Sequence, residues 1–177
     1  MLLLAIGAAP VTAASPYGAD PTIAWQKLLG GGGSDRGQSV QPTADGGYIL
    51  LAQTDSSASG DVAGTNHGES DIWVVKLDGT GAIQWQKLLG GNSFDRGHSI
   101  QQTADGGYIL LGDTLSSASG DVAGTNHGTS DIWVVKLDGT GVIQWQKLLG
   151  GSEGDYGNSL RQTSDGGYIL FGYSQSS

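Results

Sequence analysis

Asp131-Ile132-Trp133-Val134-Val135-Lys136-Leu137-Asp138-Gly139-Thr140-Gly141-Val142-Ile143-Gln144-Trp145-Gln146-Lys147-Leu148-Leu149 decides how the rest of the chain is read. Two runs of β-branched, aromatic and aliphatic residues flank Asp-Gly-Thr-Gly, the pattern of an antiparallel hairpin with a tight turn. The same stretch occurs 60 residues earlier, from Asp71 to Leu89, with only Ala82 in place of Val142. Its second half appears once more as Thr22-Ile23-Ala24-Trp25-Gln26-Lys27-Leu28-Leu29. A supersecondary unit copied at fixed spacing defines a repeat architecture.

Working outward, each unit holds two further strand candidates. Ser99–Thr103, with its copies Ser39–Thr43 and Ser159–Thr163, reads as a short first strand. After an Ala/Ser-Asp-Gly-Gly turn, Tyr108–Gly112 and its copies Tyr48–Ala52 and Tyr168–Gly172 read as the second. A polar stretch, Ser116–Ser130, then leads to the Trp133 strand and the Trp145 strand. Tyr-Ile-Leu-Leu and Ile-Trp-Val-Val are apolar at consecutive positions, so both faces of the sheet need cover. The neighbouring copies supply it. Ile143-Gln144-Trp145-Gln146-Lys147 alternates instead, as an outer edge strand does. The expectation is an all-β chain of tandem 60-residue, four-stranded antiparallel blades, an incomplete β-propeller. A β-helix would require a shorter sub-period, and the 60 residues contain none.

Taken in order, the Ser/Thr-Asp-Ile-Trp-Val-Val-Lys-Leu-Asp, Ile-Gln-Trp-Gln-Lys-Leu-Leu-Gly-Gly, Asp-Arg/Tyr-Gly and Asp-Gly-Gly-Tyr-Ile-Leu-Leu-Gly segments resemble the β-propeller repeats of bacterial and archaeal exported and cell-surface proteins. The resemblance spans residues 22–177. It implies a propeller and surface exposure, and it carries over no catalytic residue.

Composition agrees with this expectation. There are 32 Gly, no Cys, and 17 acidic against 8 basic residues for a net charge of −9. The acidic residues are spread over all copies, and no basic stripe exists. That argues against nucleic acid and anionic membranes as partners. Without cysteine there is no disulfide framework and no thiol chemistry. Met1–Ala9 is a short apolar run followed by Val11-Thr12-Ala13-Ala14-Ser15, so residues 1–15 resemble the end of a secretory signal. No Lys or Arg precedes the run, and it is too short to insert across a bilayer. Residues 16–21 read as a linker and 22–177 as the propeller repeats, with residues 1–18 weakly anchored. A secreted or cell-surface location is expected.

The repeat count is uneven. The chain reads as starting in a fourth strand (Ile23–Leu29), passing through two whole units and closing after a second strand. Propellers have four or more blades. Open apolar faces are therefore expected, at Tyr168, Ile169, Leu170 and Phe171 on one side and Ile23, Trp25 and Leu28 on the other. Self-association through those faces follows.

Chemistry-bearing residues are few. Ser93-Phe94-Asp95-Arg96-Gly97-His98-Ser99 approaches the Asp-box of sialidase-like propellers, but an aliphatic residue stands where the box has an aromatic. The Asp is expected to accept backbone N–H bonds in a turn. Loops 59–68 and 119–128 place Asp61, Asn66, Asp121 and Asn126 near Asp71 and Asp131, a candidate set for Ca²⁺. The competing reading is a Gly-rich loop held by Asx turns. His67, His127 and His98 lie far apart in sequence and have no Cys partner, which disfavours zinc; His98 reads as an ordinary polar turn residue. Trp25, Trp85, Trp145, Trp73 and Trp133 are expected to pack between blades rather than to stack on sugars. Gly30–Gly33 leads to no helix and is not a phosphate loop.

No nucleophile–base pair, spaced carboxylate couple or cofactor motif emerges. The expected function is a non-enzymatic scaffold or binding module of an exported or cell-surface protein, engaging a protein or glycan through loops on one rim. The alternative is a piece of a carbohydrate-active hydrolase or lyase whose active residues lie in other blades.

Overall fold

In a computed structural model of the chain, residues 3–8 and 23–176 are described. These residues form β-strands and connecting loops, with no helix among them. The strands are β1 (Leu3–Ala8), β2 (Ile23–Leu29), β3 (Asp35–Pro42), β4 (Tyr48–Thr54), β5 (Asp71–Leu77), β6 (Ile83–Leu89), β7 (Asp95–Gln102), β8 (Tyr108–Thr114), β9 (Asp131–Leu137), β10 (Ile143–Leu149), β11 (Asp155–Gln162) and β12 (Tyr168–Ser174). No helix of the described residues is long and apolar enough to cross a membrane.

Two four-stranded antiparallel meanders, β3-β4-β5-β6 and β7-β8-β9-β10, are flanked by the two-stranded sheets β1-β2 and β11-β12. Trp73 and Trp133 occupy equivalent third strands, each buried on both faces along its whole length. Successive sheets stack face to face, β4 against β7 and β8 against β11, and the first strands β3, β7 and β11 also lie beside one another. Convergence of the first strands gives the stack the radial sense of a propeller. The ring is open.

Each seam between sheets is a hydrophobic layer. Ile49, Leu51, Ile72 and Val74 of one blade meet Ile100, Leu110, Trp133 and Val135 of the next. Fourth-strand tryptophans close the outer edge of each seam. Trp25 meets Tyr48, Trp85 meets Tyr108 and Trp145 meets Tyr168, all edge to face at 5.6–5.8 Å. The inter-blade role expected for these tryptophans is therefore what the structure shows.

Three expectations need correction. First strands are longer than Ser39–Thr43 and its copies imply, because they begin at Asp35, Asp95 and Asp155 and pass through a bulge at Gly37/Ser39, Gly97/Ser99 and Gly157/Ser159. The bulge lets the polar Asp-Arg-Gly segment continue the ladder and hides its periodicity. Second, the chain does not start in a fourth strand. Leu3–Ala8, placed in the leader by sequence, pairs antiparallel with β2 from Leu3↔Leu29 to Ala8↔Ile23. That register repeats the one between β5 and β6, which runs from Ile72↔Leu89 to Leu77↔Ile83. β1 thus occupies a third-strand position, and the rest of the stretch thought weakly anchored lies outside the described residues. Third, only alternate residues of the end strand β12 are open. Ile169, Phe171 and Tyr173 face outward, while Tyr168 and Leu170 pack on the preceding blade. At the other end Ile23 and Leu28 are exposed, but Trp25 packs inward. Strand period two decides which side is which.

Candidate functional site

Asp35, Thr54, Asp71 and Leu89 lie side by side on one rim of their blade, where first strands begin and second strands finish. This rim carries the candidate residues. The Asp of each Asp-box-like segment is a crosslink: Asp35, Asp95 and Asp155 accept the N–H of Gly31, Gly91 and Gly151 at 2.7–2.8 Å. Thr54 and Ser56 hydroxyls donate to Asp35, as Thr114 and Ser116 do to Asp95. The segment ties its own strand to the loop leaving the second strand, a structural task.

The calcium candidates do not converge as a loop set. Asn66 and Asn126 spend both ends of their amides on backbone, donating to Thr54 and Thr114 carbonyls and accepting from Gly68 and Gly128. Asp61 caps Gly30 N–H at 3.2 Å, and Asp121 lies across the seam, 3.9 Å from His67 Nδ1 of the preceding blade. Asp71 and Asp131 accept from His67 and His127 at 2.8 and 2.6 Å. Among the described residues no group of three or more His, Asp or Glu is placed to hold a metal. What the seam does bring together is a carboxylate pair. A methyl group on Gly90 would lie 2.4 Å from Asp71 Oδ1 and 2.8 Å from Asp95 Oδ2, so glycine alone fits between them. Both acids are fully buried, and burial pushes both carboxyls above the usual range. Asp71 Oδ1 has no hydrogen-bond partner among the described residues.

Two buried cations escape notice in the sequence. Lys76 Nζ, 3% exposed, reaches Asp45 Oδ2 at 2.8 Å, the Leu77 carbonyl at 2.8 Å and Gln84 at 3.0 Å. Lys136 repeats the arrangement with Asp105, Leu137 and Gln144. Their ammonium groups lie at the opposite rim and pin the Asp-Gly-Gly turn to the third strand. The signal was present: a lysine inside an otherwise apolar strand is a buried charge that needs partners.

Above the seams lie two related grooves. One, of about 120 Å³, is lined by Ser34, Arg36, Gln53, Asp55 and Glu69 with Phe94 of the next blade. The other, of about 370 Å³, is lined by Arg96, His98 and Asp113 with Tyr156, Asn158 and Tyr173 of the next. His98 sits inside β7, not in a turn, and its Nε2 hydrogen-bonds the buried Asp113 carboxylate. Arg96 Nη1 is 3.8 Å from the same acid and stacks over Phe94 at 5.5 Å. Tyr156 and Tyr173 stack at 4.9 Å. Sequence reading took His98 for a turn residue and did not connect it with the other groove positions, although a signal existed. The copies match along most of their length but differ at Ser34/Phe94, Arg36/Arg96/Tyr156, Gln38/His98/Asn158 and Gln53/Asp113/Tyr173.

No known family profile matches the chain. It is similar to the regulatory protein FlaEY of Caulobacter vibrioides, at 29% identity over 141 residues. The match covers 75% of this chain and 15% of that protein, so the chain spans about a seventh of the relative's length.

Proposed function

We propose that the chain is a propeller-type binding module of an exported or cell-surface protein, and that the seam grooves are its recognition surface. One observation carries the reading. Copies that keep most of their core, turn and rim-crosslink residues, with mainly aliphatic or small exchanges such as Val40/Ile100/Leu160, change chemical character where the grooves are lined, at Ser34/Phe94, Gln38/His98/Asn158 and Gln53/Asp113/Tyr173, and at Tyr156 where Arg36 and Arg96 stand in the other copies. A frame held fixed while one set of side chains varies is how a rigid scaffold diversifies a binding surface. Arginine and stacked tyrosines suit a polar partner with planar or ring surfaces, a protein loop or a glycan. The likeness to a protein described as regulatory supports an interaction role over turnover.

A second reading, a piece of a carbohydrate-active enzyme, draws on Asp113 and His98, a buried acid hydrogen-bonded to a histidine inside a groove. The test is a glycan array and an extracellular-protein panel run with the chain and with Arg96→Ala, Tyr156→Ala and Asp113→Asn. Binding that falls at least tenfold in the first two variants supports the module. Binding indifferent to all three overturns it, and turnover lost in Asp113→Asn establishes the enzyme.

A further inference from the structure

The two whole blades are copies, yet their grooves carry different charge. Over β3-β6 the groove holds Arg36 with two exposed acids, Asp55 and Glu69. Sixty residues on, the same positions are Arg96, Leu115 and Thr129, so the arginine stays and both acids are gone. The one acid gained there, Asp113 in place of Gln53, is 1% exposed and engaged by His98 through Oδ1. An anion entering the first groove meets two carboxylates at its surface. In the second it meets a guanidinium.

That guanidinium is held in place without being used up. Arg96 Nη1 lies 3.8 Å from Asp113 Oδ2, beyond hydrogen-bonding range, and this buried oxygen has no hydrogen-bond partner among the described residues. The Phe94 ring supports the same group at 5.5 Å. Acid and ring orient the fork of N–H donors, a geometry that receives a carboxylate through two parallel hydrogen bonds. For the scaffold the exchange at 113 is a loss. Gln53 Nε2 donates to Ser70 Oγ at 2.8 Å, whereas Asp113 brings no amide and Ser130 Oγ is left buried without a partner. Across the seam the groove is lined by Asn158 and Tyr156. A methyl group on Gly154 would lie 2.7 Å from Tyr156 Oη, so a phenol hydroxyl occupies the place where the preceding copy carries the Phe94 ring. Amide and hydroxyl both donate and accept, which suits hydroxyl groups of a ligand. The cavity of about 370 Å³ falls in the range of small-ligand sites, roughly 300–1,000 Å³, and the 120 Å³ groove over the first blade does not.

We propose that the groove over β7-β10 binds a uronate unit of an acidic saccharide, its carboxylate on Arg96 and its ring hydroxyls on Asn158 and Tyr156. This rests on the seam grooves being the recognition surface and names the ligand class of one of them. One arginine, partly balanced by Asp113, suits a single negative charge. An acidic peptide would supply the carboxylate but not the hydroxyls that the two donor–acceptor side chains are placed to meet. The groove over β3-β6 keeps its arginine but is closed to such a ligand by Asp55, Glu69 and its smaller volume.

Isothermal titration of the 177-residue chain tests this with trisaccharides of galacturonate, glucuronate and mannuronate, with their carboxyl-reduced neutral counterparts, and with hexaglutamate. At least one uronate is expected to bind ten times or more tighter than its neutral counterpart and than the peptide. Two variants read the site. Arg96→Gln removes the fork, and Leu115→Asp/Thr129→Glu installs the acids that the first blade already carries at the same positions. Each should weaken uronate binding at least tenfold, with thermal melts confirming the fold; Arg96→Gln alone decides if the double variant melts early. No uronate bound, equal affinity for the neutral sugar or the peptide, or binding untouched by Arg96→Gln overturns the proposal. A protein or neutral glycan whose binding falls in Arg96→Ala and Tyr156→Ala would overturn the uronate while leaving the recognition surface standing. Uronate binding indifferent to both of those variants would overturn the two together.

Discussion

Gly97 is the most direct probe of whether the blades are held by close packing across their seams. A methyl group there would lie 2.7 Å from Leu51 Cδ2 and Cγ, and 3.1 Å from Ile72 Cγ2. Carbon atoms prefer roughly 3.5–4.0 Å, so the sheets would have to part by several tenths of an ångström. Leu51 and Ile72 are fully buried and have nowhere to retreat. Gly97 is not in the left-handed backbone region, so alanine costs nothing in φ there. Overpacking of this kind costs about 2 kcal/mol, which lowers Tm by roughly 4–8 °C in a chain of this size. The control is built in. Gly37 sits in the same Asp-Arg-Gly context at the same bulge, but on the open face, where it is exposed. Gly37→Ala should stay within about 0.5 kcal/mol of the parent. Thermal and urea melts at high dilution decide it. Equal losses for the two variants, or no loss for Gly97→Ala, would refute seam packing as the source of stability.

Three other outcomes follow. Hydrogen bonds from Thr103 and Lys136 hold Asp105 down to about 2, and Lys76 and Thr43 hold Asp45 lower still. A depressed carboxyl contributes stability that is complete above the unfolded value of roughly 4 and is lost as pH falls toward the folded one. Urea melts should therefore weaken between about pH 4 and pH 2, less so in Asp45→Asn/Asp105→Asn; both acids are half exposed, which limits each to ~1 kcal/mol or less. Burial raises Asp71 and Asp95, so the sign reverses: their cost is absent below the unfolded value and grows as pH rises through the folded one. Asp71→Asn should raise Tm most near neutral pH and least near pH 3, and a variant less stable at pH 7 would refute the strained pair. With the Asn66 and Asn126 amides committed to backbone, millimolar Ca²⁺ should leave Tm unchanged. A calcium-dependent rise abolished by Asp71→Asn would show a cation at the seam.

Strand identity and stacking were legible because burial on both faces writes itself as consecutive apolar residues, as in Ile72–Val75 and Ile109–Leu111. First strands were legible only in their second halves, since the bulge at Gly97 breaks the alternation that reveals a strand. β1 was hidden differently. Leu2-Leu3-Leu4-Ala5-Ile6 has the composition of a leader and lacks the Trp and Lys that mark β5 and β9. Of the candidate site, the Asp-box carboxylates accept backbone N–H groups as expected, but from the first positions of β3, β7 and β11 rather than from within a turn. The Asp71–Asp95 pair and the grooves were not read, because each is assembled from two units. A residue's partner across a seam lies in the adjacent copy, where linear inspection does not look.

Near identity between β5 and β9 has a consequence for how the chain finds this fold. Their Asp-Ile-Trp-Val-Val-Lys-Leu sequences are the same, so β4 can form an equally good ladder with either. Only the intervening chain distinguishes them: residues 55–70 for the native partner and 55–130 for the wrong one, a loop roughly five times longer. The added closure entropy is about 1.4 kcal/mol, near a tenfold preference. An early collapse would then commit about a tenth of molecules to a ladder that skips a blade, leaving β5 and β8 without their partners. Those molecules must break an entire ladder to recover. Refolding should show a minor slow phase, and restoring sequence difference between β5 and β9 should remove it.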